Sequence, residues 1–148
     1  MTRIQREFTV DAPLAEAWQH LANVERWQSW EKHIRRAELA PPGQLMSQSS
    51  GVFHLRNGIR STFRMVEYNP PHNWMWVGRF LWLSVSYDHR FEALAAERTK
   101  LTWTVQVEGM GESSFGRAFA AIYGRNLDKA IPNLVAEMNS LLTHRDSS

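Results

Sequence analysis

The strongest constraint on this chain is a long helical pattern near its C-terminal end. From about Ser114 to His144, apolar residues recur at helical spacing, which predicts one amphipathic helix. Its apolar stripe consists of Phe115, Phe119, Ile122, Leu127, Ile131, Leu134, Met138 and Leu141. A helix of that length spans ~45 Å, and its stripe needs a curved sheet to cover it. Because a curved sheet wrapped round a helix often leaves a hollow, we look for function there.

The sequence also predicts how this helix begins and where its geometry changes. Gly109-Met110-Gly111 predicts a flexible joint before it, and Ser113 or Ser114 is the expected N-cap. Pro132 removes one backbone hydrogen bond inside the pattern. We therefore expect a kink or a break at Pro132.

The residues before the helix predict an antiparallel sheet. Alternation of apolar and polar residues predicts strands at 4–10, 34–40, 45–56, 59–68, 73–80, 83–94 and 99–108. Two short helices, 13–22 and 24–32, follow the first strand, and Asn57-Gly58 predicts a tight hairpin. Since later strands follow one another through short turns, a meander is expected rather than parallel crossovers.

Composition narrows the classes of function. The 148 residues suit one domain, 1–148, and with 43% hydrophobic and 22% charged residues it is an ordinary globule. Absence of cysteine excludes disulfides, thiolate metal sites and a thiol nucleophile. A net charge of +2 does not favour a nucleic-acid surface. Without a signal-peptide pattern or an apolar run that could span a bilayer, we expect a cytoplasmic protein with no integral membrane association.

No cofactor or metal is expected from the motifs. The histidines and carboxylates do not match a ligand set such as H-E-x-x-H. Gly109-Met110-Gly111 lacks the lysine of a phosphate-binding loop, and no serine sits in a nucleophile elbow.

Particular residues, in their order along the chain, carry a family resemblance. They are Phe8-Thr9-Val10-Asp11-Ala12-Pro13 leading to Ala17-Trp18, then Val24-Glu25-Arg26-Trp27 and Trp30, then Val66-Glu67-Tyr68-Asn69-Pro70-Pro71, and Thr99-Lys100-Leu101-Thr102 before Gly109. The chain resembles the START-like (SRPBCC, helix-grip) superfamily, and within it the polyketide cyclase/dehydrase and lipid-transport branch. The resemblance implies an α+β fold, with a curved antiparallel sheet of about seven strands gripping the long C-terminal helix around a hydrophobic cavity.

Seven tryptophans make the walls of such a cavity the first place to look for a site. The candidate ligand-binding residues are Trp27, Trp30, Phe53, Phe63, Met65, Trp76, Tyr87, His89, Trp103, Phe119 and Tyr123. For each apolar residue the alternative is plain core packing. Tyr87 and His89 share the inward face of one strand and are the catalytic candidates. The alternative for His89 is a histidine that is simply hydrogen bonded to a backbone carbonyl or lies near the rim of the sheet.

Other polar residues have simpler interpretations. Arg56, Arg60, Arg64, Arg79 and Arg90 are expected to be solvated, with one of them placed to cap an acidic ligand at the cavity mouth. His54 and His72 are expected at the surface or in turns, and Asn126 could join Tyr123.

Three functions are compatible with these features. The leading hypothesis is a monomer or homodimer that binds a small hydrophobic or aromatic ligand or lipid for transport or sequestration. The second is a cyclase or dehydratase acting on a carbonyl substrate in the same cavity. The third is an interaction module with a packed core that docks through exposed Trp74 or Trp82.

Overall fold

A computed structural model describes residues 2–80, 83–108 and 114–146 of the chain. The elements are β1 (Thr2–Val10), α1 (Leu14–Ala22), a 3-10 helix (Val24–Ser29), β2 (Ile34–Ala40), β3 (Ser50–Leu55), β4 (Arg60–Asn69), β5 (Asn73–Phe80), β6 (Leu83–Ala95), β7 (Arg98–Glu108) and α2 (Ser114–Asp146). The predicted joint Gly109-Met110-Gly111, Ser113 and Trp82 lie outside the described residues.

The strands form one antiparallel sheet in the order β1-β7-β6-β5-β4-β3-β2. Strands β2 to β7 follow one another as a meander, whereas β1 pairs with β7 at the far edge. The chain therefore crosses from one edge of the sheet to the other through α1 and the 3-10 helix. The sheet curves around α2, which confirms the predicted α+β helix-grip fold.

The predicted hairpin between β3 and β4 forms at Asn57-Gly58. Gly58 has a φ of 88°, a conformation that glycine adopts without the steric cost of a side chain. Its amide donates to the carbonyl of Leu55 at 3.0 Å, and the Leu55 amide donates to the carbonyl of Ile59 at 2.9 Å. This short turn holds the tip of the hairpin beside the cavity described below.

Polar contacts fasten α2 to the first third of the chain. The carboxylate of Glu137 accepts a hydrogen bond from the Ser29 hydroxyl at 2.9 Å and lies 2.8 Å from Nε2 of His20. Nearer the middle of the helix, Asp128 pairs with Arg6 of β1 at 2.8 Å. These contacts hold α2 at a defined position over the concave face.

The hydrophobic core is divided into two clusters. The larger joins the sheet to α1, the 3-10 helix and α2 from its middle onward, where Leu127, Leu134 and Met138 are buried. The smaller joins β6 and β7 to the first half of α2 through Phe119 and Tyr123. The cavity lies between the two clusters.

Three local expectations differ from the structure. The second short helix is a 3-10 helix ending at Ser29 rather than a helix to Lys32. Strand β3 begins at Ser50 rather than Leu45, because the polar residues before it supply no apolar alternation. Of the two alternatives expected at Pro132, a kink or a break, the break does not occur, since α2 continues through that position, where the ring is exposed.

Candidate functional site

A cavity of about 610 Å³ lies between the concave face of the sheet, the 3-10 helix and the first half of α2. Its lining residues are Trp27, Trp30, Glu31, His33, Ile34, Phe53, Leu55, Arg56, Asn57, Ile59, Ser61, Thr62, Phe63, Trp76, Leu83, Tyr87, His89, Trp103, Ala118, Phe119, Ile122, Tyr123, Asn126 and Leu127. A volume of this order is typical of pockets that bind small organic molecules.

Neighbouring strands place the aromatic wall by their alternation. Trp76 is paired with Tyr87 across β5 and β6, and His89 is paired with Trp103 across β6 and β7. Because side chains two residues apart point to the same face, all four project toward α2. The 3-10 helix adds Trp27, whose indole N–H donates to the carbonyl of Leu21 at 2.8 Å.

His89 lies among four indole rings. Its ring centroid is 4.9 Å from Trp74 and Trp76, 5.8 Å from Trp103 and 6.0 Å from Trp27. Burial lowers the pKa of His89 to about 3, partly opposed by the backbone of Trp74. Its Nδ1 is buried and makes no hydrogen bond among the described residues. The imidazole is therefore neutral at physiological pH.

Two tyrosines supply neutral hydroxyl groups, Tyr87 from β6 two residues before His89 and Tyr123 from α2. Burial raises the pKa of Tyr87, whose hydroxyl is hydrogen bonded to Ser61. Burial also raises the pKa of Tyr123, with smaller contributions from Tyr87 and from the Glu31 carboxylate. The rings of Tyr87 and Tyr123 are 5.7 Å apart. Both phenols remain protonated and can donate or accept hydrogen bonds.

A carboxylate–imidazole pair lies in the lining directly before β2. Oε1 of Glu31 accepts from the His33 amide at 3.1 Å and lies 2.7 Å from Nδ1 of the same residue. The Glu31 side chain is 13% exposed and the His33 side chain 44% exposed. The pair therefore fixes an imidazole where the cavity meets solvent.

The mouth of the cavity lies between the β3–β4 hairpin and the first half of α2. Exposed lining residues there include Arg56, Asn57, Ala118 and Ile122. Ile122 is 58% exposed even though it belongs to the apolar stripe of the helix. The Nε of Arg56 donates to the carbonyl of Lys32, which leaves the outer end of its guanidinium at the opening.

Comparison with known proteins places the chain in a family. The family model described as polyketide cyclase / dehydrase and lipid transport matches residues 1–139. The chain belongs to this family. No curated protein matches the sequence.

Solved structures similar to this family member include a hypothetical protein, jhp0584, from Helicobacter pylori, with a TM-score of 0.78, 14% identity and coverage of 93% of this chain and 88% of that one. The Zhui aromatase/cyclase from Streptomyces sp. R1128 matches with a TM-score of 0.73 and 18% identity over 93% of each chain. The di-domain ARO/CYC BexL matches with a TM-score of 0.67 and 16% identity, over 95% of this chain and 46% of that one. At sequence identities of 14–18%, these similarities show a shared fold and nothing about activity.

Within this polyketide cyclase/dehydrase family member, the structure brings ten of the eleven predicted ligand-binding residues to the cavity. These ten are Trp27, Trp30, Phe53, Phe63, Trp76, Tyr87, His89, Trp103, Phe119 and Tyr123. Met65 is the exception, because it is buried in the main core and is not one of the residues that line the cavity. Alternation along β4 correctly predicts that Met65 faces inward. It does not predict which inward residues of the strand border the cavity.

Three further expectations have different outcomes. The docking patch at Trp74 is wrong: this side chain is 0% exposed and packs at 4.9 Å against Trp18 of α1. The five arginines are exposed, as predicted, with Arg56 in the turn after β3 and Arg60, Arg64, Arg79 and Arg90 on strands. Of the two histidines, His72 is exposed in a turn, whereas His54 is partly buried on β3 and lies 3.2 Å from Glu38.

Sequence reasoning missed several polar residues of the site, among them Glu31, His33 and Ser61. Glu31 and His33 follow the 3-10 helix in a connecting segment, where no periodicity indicates which way a side chain points. Ser61 occupies an inward position of β4 beside Phe63, so stricter use of strand alternation would have found it.

The described residues contain no group of three or more histidines and carboxylates that could hold a metal ion. Among the helices that the structure describes, none combines the length and apolar character needed to cross a bilayer.

Proposed function

We propose that this domain binds a small hydrophobic or aromatic ligand, or a lipid, in the cavity between sheet and α2. The observation that carries the proposal is a cavity of about 610 Å³ with a largely aromatic wall and a mouth at the β3–β4 hairpin. Apolar burial would supply most of the affinity, at roughly 25 cal/mol per Å² before the cost of immobilising the ligand.

The charge distribution supports an apolar ligand. His89 is neutral because burial lowers its pKa to about 3, and burial keeps the pKa of Tyr87 and Tyr123 above the ordinary range. Glu31 is held by His33 at the edge. An apolar guest therefore meets no unpaired charge along the aromatic wall, and the neutral hydroxyls are available to orient it.

Native mass spectrometry of freshly purified protein tests the proposal first. We expect a mass increment from a co-purified apolar molecule, or saturable binding from a panel of fatty acids, sterols and polyphenols measured by calorimetry. Absence of both a co-purified molecule and binding from the panel would contradict the proposal.

Two tryptophans of β5 provide a matched pair of variants. Trp74 and Trp76 are 0% and 2% exposed and both contact His89, but only Trp76 lines the cavity. We expect Trp76→Leu and Trp74→Leu to lose similar stability, about 3 kcal/mol each by urea unfolding. Only Trp76→Leu should weaken ligand binding, by about tenfold, because ring contacts with the ligand are lost. Equal effects of the two variants on binding would count against a ligand in this cavity.

A cyclase or dehydratase is the second candidate, favoured by tyrosine hydroxyls that line the cavity. Two of the structural neighbours are described as an aromatase/cyclase and an ARO/CYC protein. Under this alternative Tyr87 would donate a hydrogen bond to a substrate carbonyl. Turnover separates the two functions. An enzyme would convert a carbonyl substrate, and Tyr87→Phe would lose that turnover while keeping binding, whereas a carrier would bind the compound without converting it in either form.

Cytoplasmic location and a monomeric or homodimeric state remain part of the proposal. A structural neighbour from Colwellia psychrerythraea is described as an Aha1 dimer, with a TM-score of 0.67 and 14% identity over 94% of this chain and 97% of that one. Sedimentation analysis of the purified protein would distinguish monomer from dimer.

A further inference from the structure

We propose that Glu31 and His33 form a hydroxyl-recognition site at the edge of the cavity, where His33 accepts a hydrogen bond from an O–H group of the ligand. The inference rests on the proposed function, since it concerns a ligand held in the same cavity. It adds a chemical requirement, because a ligand with an O–H donor would be preferred over an equally apolar one without it.

The first step is the protonation pattern of the imidazole. A carboxylate can only accept hydrogen bonds, so the nitrogen 2.7 Å from Glu31 must carry a proton. That nitrogen is Nδ1 of His33. In the neutral ring the other nitrogen, Nε2, is then an acceptor. No hydrogen bond to Nε2 is found among the described residues, and His33 is one of the residues that line the cavity.

The second step is the fixed position of the pair. Glu31 is held by two hydrogen bonds to one residue, the backbone amide and the ring of His33. The adjacent backbone is also held, because the Arg56 amide donates to the carbonyl of His33 at 2.9 Å. An acceptor held in place before the ligand arrives costs less ordering entropy on binding.

The third step is the charge next to this site. The Glu31 carboxylate is near enough to Tyr123 to contribute to the raised pKa of that phenol. A ligand carboxylate at the same place would face this negative charge, whereas a neutral hydroxyl would not. Arg56 and Lys32 are the neighbouring cations, and both donate to backbone carbonyls, of Lys32 and Ser29 respectively. The pair therefore favours an uncharged donor.

A pair of probes isolates the hydroxyl. 4-Phenylphenol and 4-methoxybiphenyl have the same apolar body, but only the phenol can donate to Nε2. Hydrogen bonds that the cavity tyrosines donate to the probe oxygen are open to both compounds and largely cancel in the ratio of dissociation constants. Titration calorimetry at about pH 8, above the ordinary pKa range of histidine, measures that ratio.

We expect the wild-type protein to bind the phenol about tenfold more tightly than the ether. His33→Phe should reduce the ratio to about one, and His33→Gln, which keeps an acceptor oxygen, should retain about threefold. Glu31→Gln should lower the ratio to about threefold, because an amide can also donate to Nδ1 and so reverse the tautomer. His72→Phe is the matched control, since His72 is an exposed turn histidine outside the cavity, and it should keep the full ratio.

The outcomes separate this inference from the function on which it rests. Equal binding of the two probes by the wild type, or a ratio that persists in His33→Phe, overturns the hydroxyl site and leaves ligand binding intact. Binding of other apolar molecules but of neither probe overturns the hydroxyl site in the same way. Failure of every apolar molecule to bind overturns both proposals. Circular dichroism of each variant verifies that a changed ratio comes from a folded protein.

Discussion

At the scale of single residues, the unusual group is the histidine enclosed by tryptophans. Three buried nitrogens near one another, Nε1 of Trp74, Nδ1 of His89 and Nε1 of Trp103, make no hydrogen bond among the described residues. Leaving such atoms unpaired costs about 1–3 kcal/mol each. The aromatic packing around them must offset that cost, and a charged imidazole there would cost considerably more. The site is therefore built to keep His89 neutral.

The pH dependence of stability follows from His89. Its folded-state pKa of about 3 lies below the value of about 6.5 expected in the unfolded chain. The unfolded state therefore binds an extra proton between these values, so the contribution of His89 is complete above pH ~6.5 and is lost as the pH falls toward 3. We expect the free energy of unfolding to decrease by up to about 1.4 kcal/mol per pH unit from this group.

Urea unfolding between about pH 4 and pH 7 measures the effect. His89→Leu should show a shallower pH dependence than the wild type, whereas His72→Leu, an exposed histidine, should follow the wild type. Identical slopes for the wild type and His89→Leu would show that His89 is not held neutral by burial.

At the scale of elements, two glycines differ in what a side chain at their position would meet, a strand backbone in one case and an arginine side chain in the other. Gly78 of β5 lies opposite Phe63 of β4, and a Cβ there would overlap the backbone carbonyl oxygen of Thr62. Gly124 of α2 faces the side chain of Arg6, where a Cβ would lie 3.0 Å from the outer guanidinium nitrogen. A strand backbone cannot move away without breaking its ladder, whereas the end of an arginine can.

The two alanine substitutions should therefore have different effects on the free energy of unfolding. Gly78→Ala should lower the free energy of unfolding by about 2–3 kcal/mol, because β4 and β5 are forced apart. Gly124→Ala should leave it unchanged or raise it by up to about 1 kcal/mol, because alanine is the better residue in a helix interior. Thermal and urea unfolding of both variants test this, and equal destabilisation would contradict it.

At the scale of the whole molecule, the cavity exists because α2 does not seal the sheet along its whole length. The second half of α2 closes against α1 and the 3-10 helix, whereas the first half leaves the space between the two core clusters. Our proposal is that the ligand enters through the mouth between the β3–β4 hairpin and Ile122. On this proposed route a ligand passes the exposed Ile122 before it reaches the aromatic wall.

Obstructing the mouth should slow binding without changing the fold. Ile122 and Leu94 are exposed apolar residues, at 58% and 50%, but only Ile122 lines the cavity. Stopped-flow fluorescence with Nile red should show association slowed at least about fivefold in Ile122→Trp, because the larger ring narrows the passage. Leu94→Trp should behave as the wild type. An unchanged association rate in Ile122→Trp would place the passage elsewhere.

The sequence was most informative where local chemistry is decisive. Strands β2 and β5 have the predicted bounds, 34–40 and 73–80, because Pro41-Pro42-Gly43 follows the first and Asn69-Pro70-Pro71 precedes the second. The Asn57-Gly58 hairpin forms for the same kind of reason, a requirement for positive φ. Alternation also indicated the inward faces that carry Trp76, Tyr87, His89 and Trp103.

What the sequence by itself determined is therefore the order of elements, their pairing through short turns and the face on which each strand residue lies. All of these depend on backbone geometry within a few residues. Only the tertiary structure decided which inward residues border empty space. Trp74 and Trp76 have the same spacing and nearly the same burial, yet Trp74 packs beneath Trp18 while Trp76 lines the cavity. The difference is what covers each ring: Trp18 of α1 packs against Trp74, whereas Trp76 borders the cavity under α2, and contacts between residues far apart in the sequence decide this.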